Sequence, residues 1–563
     1  MSTYWPEGLP ESLSYPDTDA SALAYSSAVR FPDRTALVDG DDELTFAELH
    51  SRAHRFAHAL HARGVGRGDV VALHLPNSLW FFVAYFGTLH SGAALSPINP
   101  LSPEPSVRSH LNGTGAAVVV THPEHAATAL AAAEGTAVRA TVLVPPTAVA
   151  PAGADGPGRQ ALLDRGAVAW DRFVEGQPDT RPATGIAADD VAHLAFTGGT
   201  TGEPKGVRVL HRNLVANITQ FTGWRAGHAV EADGTGVALR PFPSGVEGAV
   251  RIGSDTALVV APLYHAQALV NTGFLMLCGV TVVLSGRFRP PEFLALVEHH
   301  RVSYITGSPT MWVALLDCPD LSTRDLSSLT CLSSGAAPID PGTLERMREA
   351  FPSAIIVEGY GLTEATCVVT SLPALPSGKR KNGSAGIPVF DTEVEVRDGT
   401  GRALDPGEQG RLWVRGPQIT DGYHGRPDAT AEQFVDGWLD TGDLGFRDED
   451  GFVHIRARAK DMLIHKGYNV YPRELEEILL EHPAVAAAAV VGRDNPVTGQ
   501  DPVAFLVLHE GHTPPEKEVL DFVAARVVPY KKLRGVRVVE ALPTSAAGKI
   551  LKNELRAAAA ATG

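Results

Sequence analysis

A chain of 563 residues is too long for one hydrophobic core, so its length predicts several domains. Its content of 44% hydrophobic and 20% charged residues is ordinary for a soluble globular protein. The formal net charge of −16 argues against general nucleic-acid binding and against adhesion to anionic membranes. Any site for an anionic ligand must therefore be a local basic patch.

The cysteines and the chain ends bear on the compartment. The four cysteines form no Cys-x-x-Cys pair, which predicts neither a disulfide framework nor a zinc site. The first residues lack the basic and apolar regions of a secretory signal, and no run of eighteen apolar residues occurs. The C-terminal Ala-Thr-Gly is not a peroxisomal signal. The sequence therefore predicts a cytoplasmic protein without membrane insertion.

The first 150 residues alternate strand and helix patterns. A helix is predicted over 45–63, with Thr45 and Glu48 as a capping box and Gly64 at its end. The same alternation continues in a strand over 70–75, a helix over 79–91, a strand over 116–121 and a helix over 126–133. It favours an α/β architecture with a largely parallel sheet.

A Pro/Ala/Gly-rich stretch over 147–158 is predicted to be a surface loop, and a strand over 191–195 then leads into a Gly/Thr-rich loop over 197–207. The loop combines flexible glycines, hydroxyl donors and one ammonium group, which suits a phosphate-bearing ligand. It matches neither the P-loop spacing nor the dinucleotide-binding glycine pattern. The residues that would form this cradle are Thr197, Gly198, Gly199, Thr200, Thr201, Gly202 and Lys205.

A helix over 212–222 follows, and then the stretch 223–255 shows no clear periodicity. This glycine-rich stretch contains Arg225, Arg240 and Arg251 and is either a long loop or a small hairpin. Loops of this length inside a compact domain are more often functional or disordered than idle.

The second half of the chain again shows strands that open into turns. Strands are predicted over 257–261, 280–284, 304–306, 330–333 and 355–357, the last opening at Glu358–Gly361. A β-rich stretch covers 393–415, and strand and helix alternate on a smaller scale in the last hundred residues.

Seven clusters in this order resemble motifs of the adenylate-forming superfamily, which comprises acyl- and aryl-CoA synthetases, adenylation domains and firefly luciferase. The resemblance covers about residues 31–556 and is greatest to bacterial acyl-CoA and 4-coumarate-CoA-ligase-like enzymes. The clusters are Thr197–Gly206, Pro262–His265, Ser333–Pro338, Glu358–Glu364, Trp438–Asp443, Arg458–Asp461 and Pro543–Lys549.

The resemblance implies an α/β fold with a large N-terminal domain over 1–458, whose β-rich part lies at about 393–455. A hinge over 459–461 containing Lys460 and a small mobile α+β domain over 462–563 would follow. It also implies ATP-dependent conversion of a carboxylic acid to an acyl-adenylate, with release of pyrophosphate. ATP, Mg²⁺ and CoA are the implied cofactors.

The resemblance further implies roles for particular residues. Glu364 would bind Mg²⁺, Thr363 the α-phosphate, Lys549 the reacting oxygens, and His265 would lie between nucleotide and acid. The adenine would lie between Gly335, Ala336 and Ala337 on one side and Glu358, Gly359, Tyr360 and Gly361 on the other, with Asp443 and Arg458 at the ribose. The acid pocket would be lined by Tyr264, Gln267, Ser308, Met311 and Cys367.

Each assignment has a structural alternative. Glu364 at a helix start could interact with the helix dipole, and Asp443 could be a turn aspartate. His265 could be a packed core histidine, and Lys549 could be a solvated side chain.

In a second half-reaction a thiol would displace AMP after rotation of the small domain, with Lys466 and Gly467 lining the thiol tunnel. The sequence departs from the usual motifs at Gly198, at Ala457 and in the stretch 223–255. The third departure leaves the acid class open between fatty and aryl acids.

The leading interpretation is an acid–CoA ligase acting on small molecules, as a monomer or homodimer that binds no nucleic acid. The alternative is a stand-alone adenylating enzyme that passes the activated group to a carrier protein, an amine or nitrite. A non-catalytic nucleotide sensor is a third possibility, against which the intact Lys205, Glu364, Asp443 and Lys549 argue.

Overall fold

The computed structural model describes residues 4–146, 157–197, 204–234, 236–335, 337, 339–545 and 549–561. Five β-sheets organise these residues. Among them no helix combines the length and apolar character needed to cross a lipid bilayer.

The first large sheet has seven strands in the order β7-β6-β5-β3-β4-β8-β9. Every neighbouring pair is parallel except β8 with β9. The strands are β3 Val70–His74, β4 Ala94–Pro97, β5 Val118–Thr121, β6 Ala140–Leu143, β7 Val168–Ala169, β8 Val191–Thr197 and β9 Lys205–Leu210.

The second large sheet has nine strands in the order β18-β17-β16-β15-β14-β12-β13-β1-β2. Its six central strands, β16 to β1, run parallel to one another. At the two edges the pairs β1–β2, β16–β17 and β17–β18 are antiparallel. The strands are β1 Thr35–Asp39, β2 Asp42–Thr45, β12 Thr256–Val259, β13 Thr281–Leu284, β14 Tyr304–Gly307, β15 Cys331–Ser334, β16 Ile355–Gly361, β17 Val368–Ser371 and β18 Ile387–Pro388.

Thirteen α-helices of the described residues precede the C-terminal sheet, and the last of them, α13, lies between β20 and β21 of a smaller sheet. Thr45 and Glu48 form the predicted capping box at α2, with hydrogen bonds of 3.1 and 2.9 Å. The helices are α1 Ala20–Arg30, α2 Phe46–His61, α3 Leu79–Ser91, α4 Glu104–Thr114, α5 Ala126–Ala133, α6 Pro157–Asp164, α7 Trp170–Phe173, α8 His211–Ala226, α9 Ala266–Leu277, α10 Pro290–His299, α11 Pro309–Leu316, α12 Pro341–Ala350 and α13 Pro427–Gln433.

Two smaller five-stranded sheets and one hairpin complete the fold. Arg473 Nη1 on α14 donates to the Ile455 carbonyl on β23 at 2.7 Å, which joins the two five-stranded parts. The remaining elements are the hairpin β10 His228–Ala232 and β11 Val237–Pro241; β19 Glu393–Arg397, β20 Gly410–Arg415, β21 Phe434–Val435, β22 Trp438–Arg447 and β23 Val453–Arg458; and β24 Leu463–His465, β25 Tyr468–Val470, α14 Pro472–Leu480, β26 Val485–Asn495, β27 Gly499–Leu508, α15 Glu516–Ala524, β28 Val536–Val538 and α16 Lys552–Ala560.

The predicted α/β class is confirmed, and two local predictions, the end of α8 and the turn at Glu358–Gly361, are corrected. Helix α8 does not end at 222 but continues through Ala226, so Gly223 and Arg225 belong to a buried helix. The rest of the 223–255 stretch contains the hairpin alternative, β10 paired with β11. The turn predicted at Glu358–Gly361 is instead the end of β16, where Gly359 and Tyr360 pair with β17. The predicted loop over 147–158 lies outside the described residues except for its last two positions, which begin α6.

Candidate active site

The predicted nucleotide segments meet at one edge of the nine-stranded sheet. Ser308, Gly335 and Glu358 lie at or just beyond the carboxyl ends of the parallel register formed by β14, β15 and β16. Ligands of open α/β sheets bind outside the carboxyl ends of parallel strands, because loops and free backbone groups converge there. The parallel order therefore places these segments together, although they are widely separated in sequence.

The predicted adenine-binding glycines have packing reasons of their own. A Cβ at Gly361 would lie 1.6 Å from the Cys367 carbonyl oxygen, and one at Gly335 would lie 2.3 Å from Nε2 of Gln267. Gly361 is therefore required by strand packing, whereas the flexible Gln267 side chain lies directly against Gly335. Ala337 is half-buried beside this edge, and Ala336 lies outside the described residues.

The phosphate loop connects β8 to β9, with Thr197 and Lys205 opposite each other in the antiparallel register. Lys205 Nζ lies 4.8 Å from the centre of the Tyr423 ring. The predicted Gly198, Gly199, Thr200, Thr201 and Gly202 lie outside the described residues.

The predicted metal ligand Glu364 lies in a single 3₁₀ turn, Thr363–Ala365, and is buried. Its Oε1 accepts a hydrogen bond from the Tyr423 hydroxyl at 2.8 Å. Burial and the Glu364 carboxylate together raise the pKa of Tyr423, so this phenol stays protonated and donates. A three-residue 3₁₀ turn offers little macrodipole, so the helix-dipole alternative for Glu364 lacks its helix.

Directly after this turn the backbone is strained. Thr366 has φ 61° and ψ −58°, and the Cys367 amide donates to the Ala365 carbonyl at 2.6 Å, which is a γ-turn. β-Branched residues rarely adopt positive φ, and such strain is concentrated at functional sites. The Thr366 hydroxyl holds the turn by donating to the Gln418 carbonyl at 2.7 Å.

Asp443 and Arg458 form an ion pair across strands β22 and β23, where they are register partners; Asp443 is buried and Arg458 is half-exposed. Arg458 Nε lies 2.9 Å from Asp443 Oδ1, and the Tyr360 hydroxyl donates to Oδ2 at 2.6 Å. Burial raises the pKa of Asp443, and the charge of Arg458 opposes that shift. Asp443 therefore lies in a strand, and the turn-aspartate alternative is wrong.

The charge of Lys549, in the C-terminal part of the chain, acts on this ion pair. The Lys549 backbone amide donates to Ser545 Oγ at 3.2 Å. Water reaches the exposed side chain, yet the surrounding protein and the positive charge of Arg458 lower its pKa, while Asp443 opposes that shift. The structure thus holds Lys549 within electrostatic range of the Asp443 carboxylate. The predicted hinge residue Lys460 has a pKa lowered by the same causes, burial and Arg458.

Lys466 and Gly467 form the tip of the β24–β25 hairpin, with φ values of 53° and 80°. Two-residue hairpins favour positive φ at both central positions, which explains the glycine without any ligand. Both residues are exposed, and a Cβ at Gly467 would meet no atom within 4 Å. In this arrangement the charge of Lys549 acts on Asp443, while the hairpin tip is exposed to solvent.

His265 caps the amino end of α9, and its ring lies 4.7 Å from that of Tyr264. Burial lowers the pKa of His265 and raises that of Tyr264 to about 12, so both are neutral at pH 7. His265 is half-buried, so the core-histidine alternative remains open.

Three further residues were predicted to line the acid pocket. Ser308 accepts from the Met311 amide at 3.4 Å as the cap of α11, and Met311 packs into the core under that helix. Burial raises the pKa of the third, Cys367, to about 12.

Sequence reasoning missed two features. Tyr423, which contacts both Glu364 and Lys205, lies in a stretch without a motif signal. Arg225 was assigned to an irregular segment, although continuing the helical period past Gly223 would have placed it on α8. Its guanidinium is buried against Asn271, Tyr304 and Ser333.

Comparison with known proteins agrees with this geometry. The profile of the AMP-binding enzyme family matches residues 25–424, and that of the AMP-binding enzyme C-terminal domain matches residues 474–549. A feruloyl-CoA synthase of Amycolatopsis is 36% identical, covering 93% of this chain and 96% of the relative. A long-chain-fatty-acid–CoA ligase of Bacillus subtilis is 31% identical, covering 98% and 96%.

Solved structures give the same result. The anthranilate CoA ligase AuaEII in complex with anthranoyl-AMP aligns with a TM-score of 0.83 at 25% identity, covering 98% of both chains. The amide bond synthetase McbA from Marinactinospora thermotolerans aligns with a TM-score of 0.80 at 26% identity, covering 96% of this chain and 99% of that one. The fold is that of an AMP-binding enzyme.

The chain belongs to the AMP-binding enzyme family. Its relatives are CoA ligases that align with it over most of both chains. The chain is therefore an AMP-forming acid–thiol ligase, as the sequence predicted. ATP, Mg²⁺ and CoA are the cofactors of such ligases. The residues fit them: the Glu364 carboxylate is a hard oxygen ligand, and the cation of Lys205 lies over the ring of Tyr423, which donates to that carboxylate.

Proposed function

We propose that this enzyme activates an aryl carboxylic acid as its acyl-adenylate and then transfers the acyl group to the thiol of CoA. The observation that carries the proposal is the Asp443–Arg458 pair, which the Tyr360 hydroxyl ties to the end of β16 where the nucleotide segments converge. We infer that Lys549, whose charge acts on Asp443, supplies a cation to this edge from the C-terminal part of the chain.

The first half-reaction follows from these charges. Asp443 accepts from the ribose hydroxyls, and Arg458 holds that carboxylate in place at 2.9 Å. Lys549 approaches the oxygens that gain charge as the acid attacks the α-phosphorus and pyrophosphate leaves. Lys205 and the Gly/Thr loop hold the β- and γ-phosphates. Glu364 would hold Mg²⁺, which neutralises phosphate charge when bound.

The second half-reaction requires the chain to rearrange. We propose that residues 462–563 rotate as a unit about Lys460, relative to residues 1–458. The rotation withdraws Lys549 and brings the exposed Gly467 hairpin to the acyl-adenylate. The thiol then attacks the acyl carbon, and AMP leaves.

An aryl acid is favoured over a fatty acid because hydrogen-bonding side chains, Asn271, Tyr304 and Thr306, line part of the small cavity beside α9. A long alkyl chain would lie against this polar cluster without adding any hydrogen bond to it. The chain acts as a monomer or homodimer.

The runner-up is an adenylating enzyme whose acceptor is a carrier protein, an amine or nitrite. The structural similarity to an amide bond synthetase is the observation that favours an amine among these acceptors.

The test is pyrophosphate release with ATP and Mg²⁺ over a panel of fatty and aryl acids, each with and without CoA. Multiple turnovers that require CoA, with an aryl acid, are the expected result. Release that CoA does not accelerate would contradict CoA as the acceptor, and amines, nitrite and carrier proteins would then be compared. Turnover of fatty acids alone would contradict the aryl class.

Gly467→Leu separates the two half-reactions. We expect it to leave pyrophosphate release in a single turnover intact and to slow thioester formation about 100-fold, because a branched side chain would obstruct the thiol arm. Gly467→Ala is the matched control, since it carries the same backbone cost at φ 80° with a small side chain. Equal losses in the two variants would contradict a tunnel at this position.

A further inference from the structure

Arg225 lies in the interior of the enzyme without an acidic partner. It projects from α8, and only 5% of its surface is exposed. Among the described residues no carboxylate forms an ion pair with it, and its Nε has no hydrogen-bond partner. Its contacts are neutral: Nη1 donates to Asn271 Oδ1 at 3.2 Å and to the Tyr304 hydroxyl, and Nη2 lies 3.4 Å from Ser333 Oγ.

A buried guanidinium with only neutral partners is costly. Removing a charge from water costs several kcal/mol even after relaxation, and dipoles recover only part of that cost. Arg458, which is only half-buried, nevertheless has the Asp443 carboxylate at 2.9 Å. The difference indicates that a ligand, not the protein, supplies the anion for Arg225.

The surroundings of Arg225 place it at the far end of the proposed acid pocket. On α9, Gln267 lies against Gly335 at the nucleotide edge, and Asn271 lies one helical turn further in, against Arg225. Four helical residues advance about 6 Å. Tyr304, at the opposite end of β14 from Gly307, is about 10 Å deeper than the strand's carboxyl end. This depth suits the length of a ring-bearing acid.

A small cavity lies along this line. It is lined by Ala261, Ala268, Leu275 and Leu258 and by the polar Asn271, Tyr304 and Thr306. The polar side chains already hydrogen-bond to one another: the Tyr304 hydroxyl donates to Asn271 Oδ1 at 2.9 Å, and the Thr306 hydroxyl donates to the Tyr304 oxygen at 3.2 Å. They orient the guanidinium and leave its charge for an additional partner.

We propose that Arg225 binds a second anionic group on the acid, at the end opposite the carboxylate that becomes adenylated. The substrate class is therefore an aryl acid with a second carboxylate, held by a charge-assisted hydrogen bond from the guanidinium. This inference rests on the proposed function, because the acid must occupy the pocket beside His265 and Gln267.

Three acids that differ only at the far end of the ring test the proposal: 4-carboxycinnamate, 4-hydroxycinnamate and 4-methylcinnamate. Pyrophosphate release with CoA gives kcat/KM for each. We expect the wild-type enzyme to prefer the 4-carboxy acid over the 4-methyl acid by at least about 100-fold, with the 4-hydroxy acid between them, since losing a buried charge partner is costly.

Arg225→Met and Arg225→Lys assign the preference to this side chain. We expect Arg225→Met to abolish the preference for the 4-carboxy acid and Arg225→Lys to retain part of it. Arg240→Met on the exposed β10–β11 hairpin is the matched control and should keep the wild-type ratio. A 4-carboxy preference that Arg225→Met does not reduce would overturn the assignment.

The wild-type panel decides the proposal even if Arg225→Met does not fold. Equal or faster turnover of the 4-methyl acid would overturn it. A preference for the 4-hydroxy acid over both others would also overturn it, because Arg225 would then serve a neutral oxygen. If none of these acids or other carboxylic acids released pyrophosphate, the proposed function itself would fail, which is a distinguishable result.

Discussion

The nucleotide side and the acid side of the site treat buried charge in opposite ways. On the nucleotide side, Asp443 is matched by Arg458 and Tyr360, and Glu364 accepts from Tyr423. On the acid side, Arg225 is held by Asn271, Tyr304 and Ser333, which carry no charge.

The difference has a physical meaning. A nucleotide presents the same groups in every turnover, so its site can be internally balanced and need only exchange hydrogen bonds. An unbalanced buried cation instead costs stability in the empty enzyme and favours only ligands that supply the missing charge. The unmatched charge of Arg225 therefore indicates which acids the pocket favours.

Lys549→Ala gives the largest expected effect on the nucleotide side. Adenylation should slow about 1,000-fold, because a cation that stabilises developing charge is lost, while ATP binding changes little. Pyrophosphate release and equilibrium ATP binding measure the two quantities. Lys517→Ala, an exposed lysine in the same part of the chain, is the control. Equal adenylation rates in Lys549→Ala and wild type would remove its assigned role.

Asp443→Asn should break the balance of the nucleotide side by leaving Arg458 without its counter-charge. We expect a loss of about 1–2 kcal/mol in the free energy of unfolding together with weaker ATP binding, since the Tyr360 hydroxyl loses a charged acceptor and the half-exposed Arg458 keeps only water as its partner. Denaturant unfolding and ATP titration measure both. Glu393→Gln, which breaks the exposed pair with Arg415, should cost far less. Similar losses in the two variants would show that the Asp443 pair is not special.

Arg225→Met should change the free energy of unfolding of the ligand-free enzyme in the opposite direction. Replacing an unmatched buried cation by an apolar side chain should leave the free energy of unfolding unchanged or raise it by about 1 kcal/mol. The Tyr304–Asn271 hydrogen bond at 2.9 Å remains, so those groups stay satisfied. A loss as large as that of Asp443→Asn would mean that the protein itself balances Arg225.

Glu358→Gln should change how the stability of the enzyme depends on pH. Burial raises the pKa of Glu358 to about 7, and its Oε2 has no hydrogen-bond partner. Because the folded state holds this proton more tightly than the unfolded state, its contribution to stability is present below pH 4.5 and is lost as pH rises through 7. The stability of wild type should therefore fall relative to Glu358→Gln between pH 5 and 8 in thermal unfolding. The exposed Glu349→Gln should follow the wild type, and parallel curves for all three would contradict the shift.

Local signals in the sequence carried much of the fold. The capping box at Thr45 and the strand-then-helix alternation depend on neighbours within a few residues, so they were correct before any tertiary contact was known. The ends of elements were less predictable. Helix α8 extends beyond its predicted end, to Ala226. Gly223, which the prediction placed after the helix, is a helical residue packed against Phe390, far away in the chain.

The sequence by itself determined the chemistry: the Gly/Thr loop, Glu364, Asp443 and Lys549 are motif residues, and their order defines the AMP-binding class. The tertiary structure alone decided how their charges are balanced. The Asp443–Arg458 register, the Tyr423–Glu364 hydrogen bond and the neutral partners of Arg225 join elements distant in sequence. Burial and pairing are properties of that three-dimensional arrangement, because a charge is costly only where the fold removes it from water.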